Sequence, residues 1–144
     1  MAGVKQVPPE TPVGTLNTAG QLFAVAQPLL EGRIAAAQGD RAMAIDKYRA
    51  AVKAEDGLAY DEPPTWYYPV RETLGAALLA DGKPAEAEAV FREDLKYNPR
   101  NGRSLFGVWK SLDAEGKKAP AARARVEFQR VWTIADVRLR VEDL

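Results

Sequence analysis

The feature that most constrains this chain is a helical pattern of apolar residues interrupted by glycine at three places. Apolar residues recur at every third or fourth position on both sides of Gly39, Gly82 and Gly116, which is the period of one face of an α-helix. Glycine can adopt the left-handed conformation that closes a helix. Strand-like alternation of useful length is absent from the sequence. The chain is therefore predicted to be all-α and built from three helical hairpins.

The first hairpin carries a proline in its first helix. Pro28 either begins the helix in its first turn or kinks a longer helix, and we favour a kinked helix over about 19–38. Asp40 follows Gly39 and is a suitable N-cap for the next helix. Residues 1–17 are rich in Pro, Thr, Val and Gly, which predicts a tail or linker, or a segment partly docked in extended form. Residues 18–144 form the predicted helical domain.

Composition argues against several function classes. The 144 residues include no cysteine and no histidine, which excludes disulfides and removes the commonest general base and metal ligand. Neither serine lies in a Gly-x-Ser-x-Gly turn. The acidic residues between 55 and 62 do not have the spacing of a calcium-binding loop. We therefore predict a protein that is not an enzyme and has no cofactor or metal.

The charge is balanced overall but unevenly distributed. Residues 31–99 carry 9 basic and 13 acidic side chains, a net of −4, whereas residues 100–140 carry 10 basic and 4 acidic ones, a net of +6. We interpret the second region as a solvated basic helix face, with a face for an acidic peptide as the alternative. The pattern matches no nucleic-acid motif. No apolar run is long enough to span a membrane and no secretory signal begins the chain, so cytoplasm is the location expected by default.

The second hairpin shows a specific spacing around Gly82. Its small and large apolar residues fall at the positions L-G-x2-Y…A-x3-F…P, the pattern of the tetratricopeptide repeat. The matching residues are Leu74-Gly75, Leu78, Ala87, Phe91 and Pro99.

The other two hairpins carry parts of the same pattern. Gly32 lies seven residues before Gly39, and Ala44-x3-Tyr48 matches Ala87-x3-Phe91. The third hairpin keeps Ala121 but has Trp109 and Arg125 at the small and aromatic positions. Matching alanines are 43 residues apart between the first two hairpins and 34 apart between the last two. Small residues let helix backbones approach closely, so the pattern favours stacked hairpins.

The chain therefore resembles the tetratricopeptide repeat (TPR) family, with units at about 19–56, 66–99 and 101–140. The runs LEGRIAAAQGD, YDEPPTWYYPVRETLGAALL and REDLKYNPRNGRSLFG resemble the C-terminal part of larger bacterial TPR proteins. The resemblance implies a right-handed superhelical stack of three hairpins, a TPR-like solenoid used as a scaffold for protein–protein contact. It supplies no catalytic residue. The implied partner is another protein or a peptide, bound in a concave groove.

The nine extra residues between the first two units fall in EDGLAYDEPPTWYYP, residues 55–69, which we call the aromatic loop. Pro63 and Pro64 block helix propagation there. In one interpretation Trp66 and some tyrosines pack onto the first helices and fix the angle between units; in the other, Tyr67, Tyr68 and Arg71 line the groove. Both hold if Trp66 points inward and a tyrosine points outward. Aromatic and arginine side chains are enriched at binding hot spots. From this loop and from the first helix of each pair we predict these groove residues: Arg33, Tyr67, Tyr68, Arg71, Glu72, Arg103, Phe106 and Lys110.

The two ends of the domain suggest an alternative function. A final helix over about 119–140 is predicted to cap the core, because its apolar stripe continues through Trp132 to Ala135. The first helix would leave Leu22, Phe23 and Leu29 in need of cover. The chain could then be the C-terminal capping segment of a larger solenoid, which stacks on missing repeats or forms a homodimer through its N-terminal helix.

Overall fold

The structure, a computed structural model, describes residues 7–144. These residues are mainly helical, which confirms the predicted all-α class. The contacts divide the chain into two compact units, Met1–Val70 and Arg71–Leu144. Within residues 7–144, no helix combines the length and apolar character needed to cross a membrane.

The first unit contains two packed helices, α1 (Ala19–Ala37) and α2 (Arg41–Glu55). Thr18 begins α1 with a capping box, in which its side chain accepts from the N–H of Gln21 while the Gln21 side chain accepts from the Thr18 N–H. Helix α1 continues through Pro28, as the prediction of one long helix required. Gly39 turns the chain at φ 84°, and Asp40 caps α2 by accepting from the N–H of Met43 at 3.0 Å.

The segment before α1 forms a short β-hairpin. Strand β1 (Pro12–Val13) runs antiparallel to β2 (Asn17–Thr18), with Pro12 opposite Thr18. The sequence did not predict these strands, because two residues are too few to show an alternating pattern. Residues 7–17 of the predicted tail therefore form a docked hairpin, and the rest of that tail lies outside the described residues.

The second unit contains two further hairpins. Its helices are α3 (Val70–Ala80), α4 (Pro84–Tyr97), α5 (Gly102–Ala114) and α6 (Lys118–Val131), and α3 enters it from Arg71 onward. Gly82 and Gly116 make the turns at φ 72° and 73°, as predicted. Pro84 occupies the first turn of α4, where its missing N–H costs no hydrogen bond.

Close packing of glycine against an aromatic ring occurs in both units. In the first unit, a methyl group on Gly32 would lie 2.5 Å from Cε1 of Tyr48. In the second, Phe91 of α4 is fully buried and lies against both α3 and α5. A methyl group on Gly75 of α3 would lie 2.6 Å from Cε1 of this ring, and a methyl group on Gly107 of α5 would lie 2.5 Å from it. Real Cβ atoms do not approach so closely, so only glycine lets these backbones lie against the rings.

The prediction of one helix over about 119–140 is wrong at its C-terminal end. Helix α6 ends at Val131, and a short 3-10 helix follows at Val141–Asp143. The indole N–H of Trp132 donates to the carbonyl of Val137 at 2.8 Å, which turns the chain back. Thr133 and Ile134 are β-branched and add little helix propensity. We call residues 133–144 the returning segment. Its Leu139 and Leu144 side chains are buried, and the carbonyl of its Asp143 accepts a hydrogen bond from Arg103.

Candidate functional site

The aromatic loop places its rings in different environments. Trp66 is half-buried, and its indole N–H has no hydrogen-bond partner among the described residues. Tyr67 is 86% exposed and Tyr60 is 77% exposed, whereas Tyr68 is half-buried. The loop therefore presents two tyrosine rings to solvent, and each offers a flat apolar face to a partner. The Tyr60 hydroxyl donates to Glu62 within the loop.

Polar contacts from the N-terminal hairpin hold this loop. The Asn17 side chain is buried, donates to the Ala59 carbonyl at 2.9 Å and to Thr65 Oγ1 at 2.8 Å, and accepts from the Ala59 N–H at 2.8 Å. The Thr15 N–H donates to Asp61 at 2.6 Å. That bond holds the pKa of the Asp61 carboxyl below its ordinary value, because it favours the charged form. Sequence reasoning missed Asn17, since one asparagine near a turn carries no distinctive signal.

Three predicted groove residues near the start of α3 and α5 have their side chains engaged inside the second unit. Glu72 is 2% exposed and forms an ion pair with the Arg103 guanidinium. The guanidinium of Arg71, which is buried, lies 5.1 Å from the centre of the Tyr97 ring. The structure thus brings Glu72 and Arg103 together in a pair whose carboxylate is almost closed to solvent.

A buried polar network continues from this pair. The side-chain amide of Asn101 donates to Glu72 Oε1 at 2.8 Å and to Asp94 Oδ2 at 2.9 Å. Asp94 is 1% exposed and also accepts from Asn98 and from Ser104. Each buried carboxylate is therefore supplied with donors, which burial of such a group demands. This network was not predicted from the sequence.

The two remaining predicted groove residues of α5 meet at an aromatic cluster. Phe106 is buried, and its ring lies 5.6 Å from that of Trp109 in an edge-on arrangement and 5.3 Å from that of Phe128. Trp109, Phe128 and Trp132 follow one another with ring centres 5.9 and 5.6 Å apart and planes inclined by 29°. These are the separations at which aromatic pairs attract one another.

A cavity of about 340 Å³ opens beside these rings. Lys110 Nζ lies 4.4 Å from the centre of the Trp109 ring, and the Arg125 guanidinium lies 5.3 Å from it. Val137, Arg138 and Leu139 of the returning segment also line the cavity. Phe106 and Lys110 thus share one concave site, which we call the aromatic cavity.

The other predicted groove residues lie in the first unit. Arg33 is exposed on α1, and Tyr67 and Tyr68 lie in the aromatic loop. Among residues 7–144, no group of three or more carboxylate, histidine or cysteine side chains is arranged to hold a metal ion.

Comparison with protein-family models, with curated proteins and with solved structures found no significant match to the chain.

Proposed function

We propose that the chain is a non-enzymatic protein-interaction scaffold of TPR-like hairpins, which binds a peptide or helix of another protein in a concave groove. The observation that carries this proposal is the repeated construction of the hairpins. Tyr48 packs on Gly32 in the first, and Phe91 packs on Gly75 in the second. The turn glycines, Gly39, Gly82 and Gly116, all have positive φ. Repeats of this kind stack and create extended binding surfaces.

Exposed aromatic and cationic side chains support the same role. Tyr67 is almost fully exposed in an anchored loop, and Arg33 is exposed on the first helix of its hairpin. Tyrosine and arginine are enriched among residues that dominate binding energy. Because hydrogen bonds at Asn17 and Asp61 fix the loop, Tyr67 would lose little conformational freedom when a partner binds.

Selection from a displayed peptide library tests this role. Peptides that the intact protein enriches would be synthesised and titrated against Tyr67→Ala and Arg33→Ala. Each substitution is expected to weaken binding about tenfold if it removes a dominant contact. The control is Arg92→Ala, an exposed arginine on α4, the second helix of its pair. Failure to enrich any peptide, or equal weakening by all three variants, would contradict the proposal.

A second candidate function is supported by one specific observation. Helix α1 exposes Phe23, Leu30 and Ile34 at 56%, 60% and 50%. These residues are spaced by seven and four positions, so they form one stripe along the helix. Such a stripe is typical of a terminal hairpin that stacks on a further repeat or on a second copy. Of the residues expected to need cover, Phe23 is exposed, Leu22 is half-buried and Leu29 is buried.

Light scattering over a range of concentrations tests the second candidate. We expect a concentration-dependent dimer that becomes monomeric when Phe23 and Leu30 are both replaced by serine. Val126→Ser is the control, because Val126 is an exposed apolar residue on α6. A monomer at every concentration, or dissociation caused equally by the control, would rule out association through α1.

A further inference from the structure

The aromatic cavity has a chemical character that protein scaffolding does not require. One side is formed by the row of Trp109, Phe128 and Trp132. Trp109 and Trp132 are only half-buried, so parts of their rings remain open to a ligand. Phe106 lies beside the row, against both Trp109 and Phe128. A flat apolar group is the shape that such a row of rings accommodates best, by offset stacking or edge contact.

All charged groups that line the cavity are positive. Lys110, Arg125 and Arg138 contribute to the lining, together with the neutral Gln129, and no carboxylate of residues 7–144 does. Within the part of the chain that the structure describes, none of the three cations forms an ion pair with a carboxylate. Lys110 and Arg125 instead lie over the Trp109 ring. The attraction of a cation to an aromatic face does not neutralise its positive charge.

The size and the walls of the cavity favour a small molecule. Its volume of about 340 Å³ falls at the lower end of the range for small-molecule sites. The segment that follows α6 supplies a further part of the wall, through Val137 and Leu139. The hydrogen bond from Trp132 to the Val137 carbonyl fixes that wall relative to the rings.

We infer that the aromatic cavity binds a small flat organic anion, an aryl carboxylate or a molecule of the same chemistry. The aryl group would lie against Trp109 and Trp132, and its carboxylate would accept hydrogen bonds from Lys110 and Arg125. Arg138 would add positive charge at the mouth. Two of the lining residues, Phe106 and Lys110, are also predicted groove residues, but this inference rests on the rings and cations of the cavity and does not require that the chain binds a peptide.

The probe pair 2-naphthoate and 2-naphthamide isolates the role of the charge, because the two molecules share one ring system and differ in whether they carry an anion. Binding is followed by nuclear magnetic resonance of the tryptophan indole N–H groups in the intact protein. The chain has three tryptophans, and Trp66, in the first unit, serves as an internal control. We expect the naphthoate to shift the signals of Trp109 and Trp132 and to leave that of Trp66 in place.

The naphthoate is expected to bind about tenfold more tightly than the amide, since hydrogen bonds to a charged group are worth more than neutral ones. Lys110→Gln and Arg125→Gln should each reduce this preference. Arg123→Gln is the matched control, because Arg123 lies two residues away on the same helix and does not line the cavity. The inference is overturned if both probes bind equally, if neither shifts Trp109 and Trp132, or if the control reduces the preference as much as the test variants.

Discussion

Arg103 forms an ion pair with Glu72, and the Glu72 carboxylate is 2% exposed while the Arg103 side chain is 29% exposed. The arginine thus lies between the interior of the second unit and solvent. It also donates to the carbonyl of Asp143, so the same guanidinium holds both the buried carboxylate and the returning segment. A partner that contacted Arg103 would act on a residue that the unit needs for its own stability.

Replacing Arg103 by methionine should therefore destabilise the second unit. The substitution leaves the buried Glu72 carboxylate without its cation. We expect the free energy of unfolding to fall by roughly 2–3 kcal/mol. This loss is smaller than that for a fully buried ion pair, because Arg103 is partly exposed. Urea-induced unfolding, followed by circular dichroism, measures this loss. Adding Glu72→Gln should recover part of it, since the neutral amide costs less to bury.

The control for this prediction is Lys96→Met, which removes the cation of the exposed pair with Glu93. Surface pairs of this kind contribute little to stability, because solvent screens their charges. Equal destabilisation by the two substitutions would contradict a special role for the Arg103–Glu72 pair.

Gly75→Ala should destabilise the second unit although alanine is the better helix former. The new methyl group would press on the buried ring of Phe91, and overpacking costs about 1–3 kcal/mol against a gain of at most about 1 kcal/mol in helix propensity. Thermal and urea unfolding measure the net loss. In a Phe91→Leu background the same change should cost less than about 0.5 kcal/mol, because the ring is gone. An undiminished cost there would show that the ring is not the cause.

Asn17→Leu should release the aromatic loop. The substitution keeps the side-chain size but leaves the polar groups of Ala59 and Thr65 without their partner. We expect a loss of about 1–3 kcal/mol and faster chymotrypsin cleavage at Tyr60 and Tyr67. Gln38→Leu, at an exposed position, should change stability by less than about 0.5 kcal/mol. A loop that stays equally resistant to the protease would contradict the anchoring role.

Asp61→Asn should alter how the stability of the first unit depends on pH. The pKa of Asp61 is lowered in the folded state by the Thr15 N–H. Such a group stabilises the fold at pH above its unfolded pKa of about 4, and this contribution is lost as the pH falls through the folded pKa. The variant should therefore be less stable than the parent at about pH 7, and the difference should shrink below about pH 4.

Urea midpoints measured across this pH range test the prediction. Asp136→Asn is the control, because Asp136 is exposed and lies in the second unit. A difference between parent and Asp61→Asn that stays constant with pH would show that the carboxylate charge is not what the Thr15 contact uses.

The hairpins could be predicted from the sequence because their determinants are local. Gly39, Gly82 and Gly116 mark their turns directly, and Pro84 marks the start of a helix. The pairing of small and aromatic residues was visible through its spacing. These features depend on backbone geometry, which a short run of residues controls.

The buried polar network and the end of α6 could not be predicted for a different reason. Asn101 meets Glu72 across 29 positions in the chain, and nothing in either residue's neighbourhood specifies that contact. Helix α6 ends where Trp132 bonds to the Val137 carbonyl, five residues later. The burial of Leu139 and Leu144 then overrides an apolar pattern that would otherwise continue the helix. The aromatic cavity depends on this same turn, and its lining is therefore not readable from helical spacing alone.

The position of Phe91 between Gly75 and Gly107 has a consequence for how the second unit opens. Local unfolding of either α3 or α5 exposes the one ring that both helices cover, so the opening of one helix weakens the other. Backbone amides in the two helices should consequently exchange with solvent hydrogen as one cooperative group. A ligand that contacts only α5 would then slow hydrogen exchange of the backbone amides in α3 as well, although it does not touch that helix.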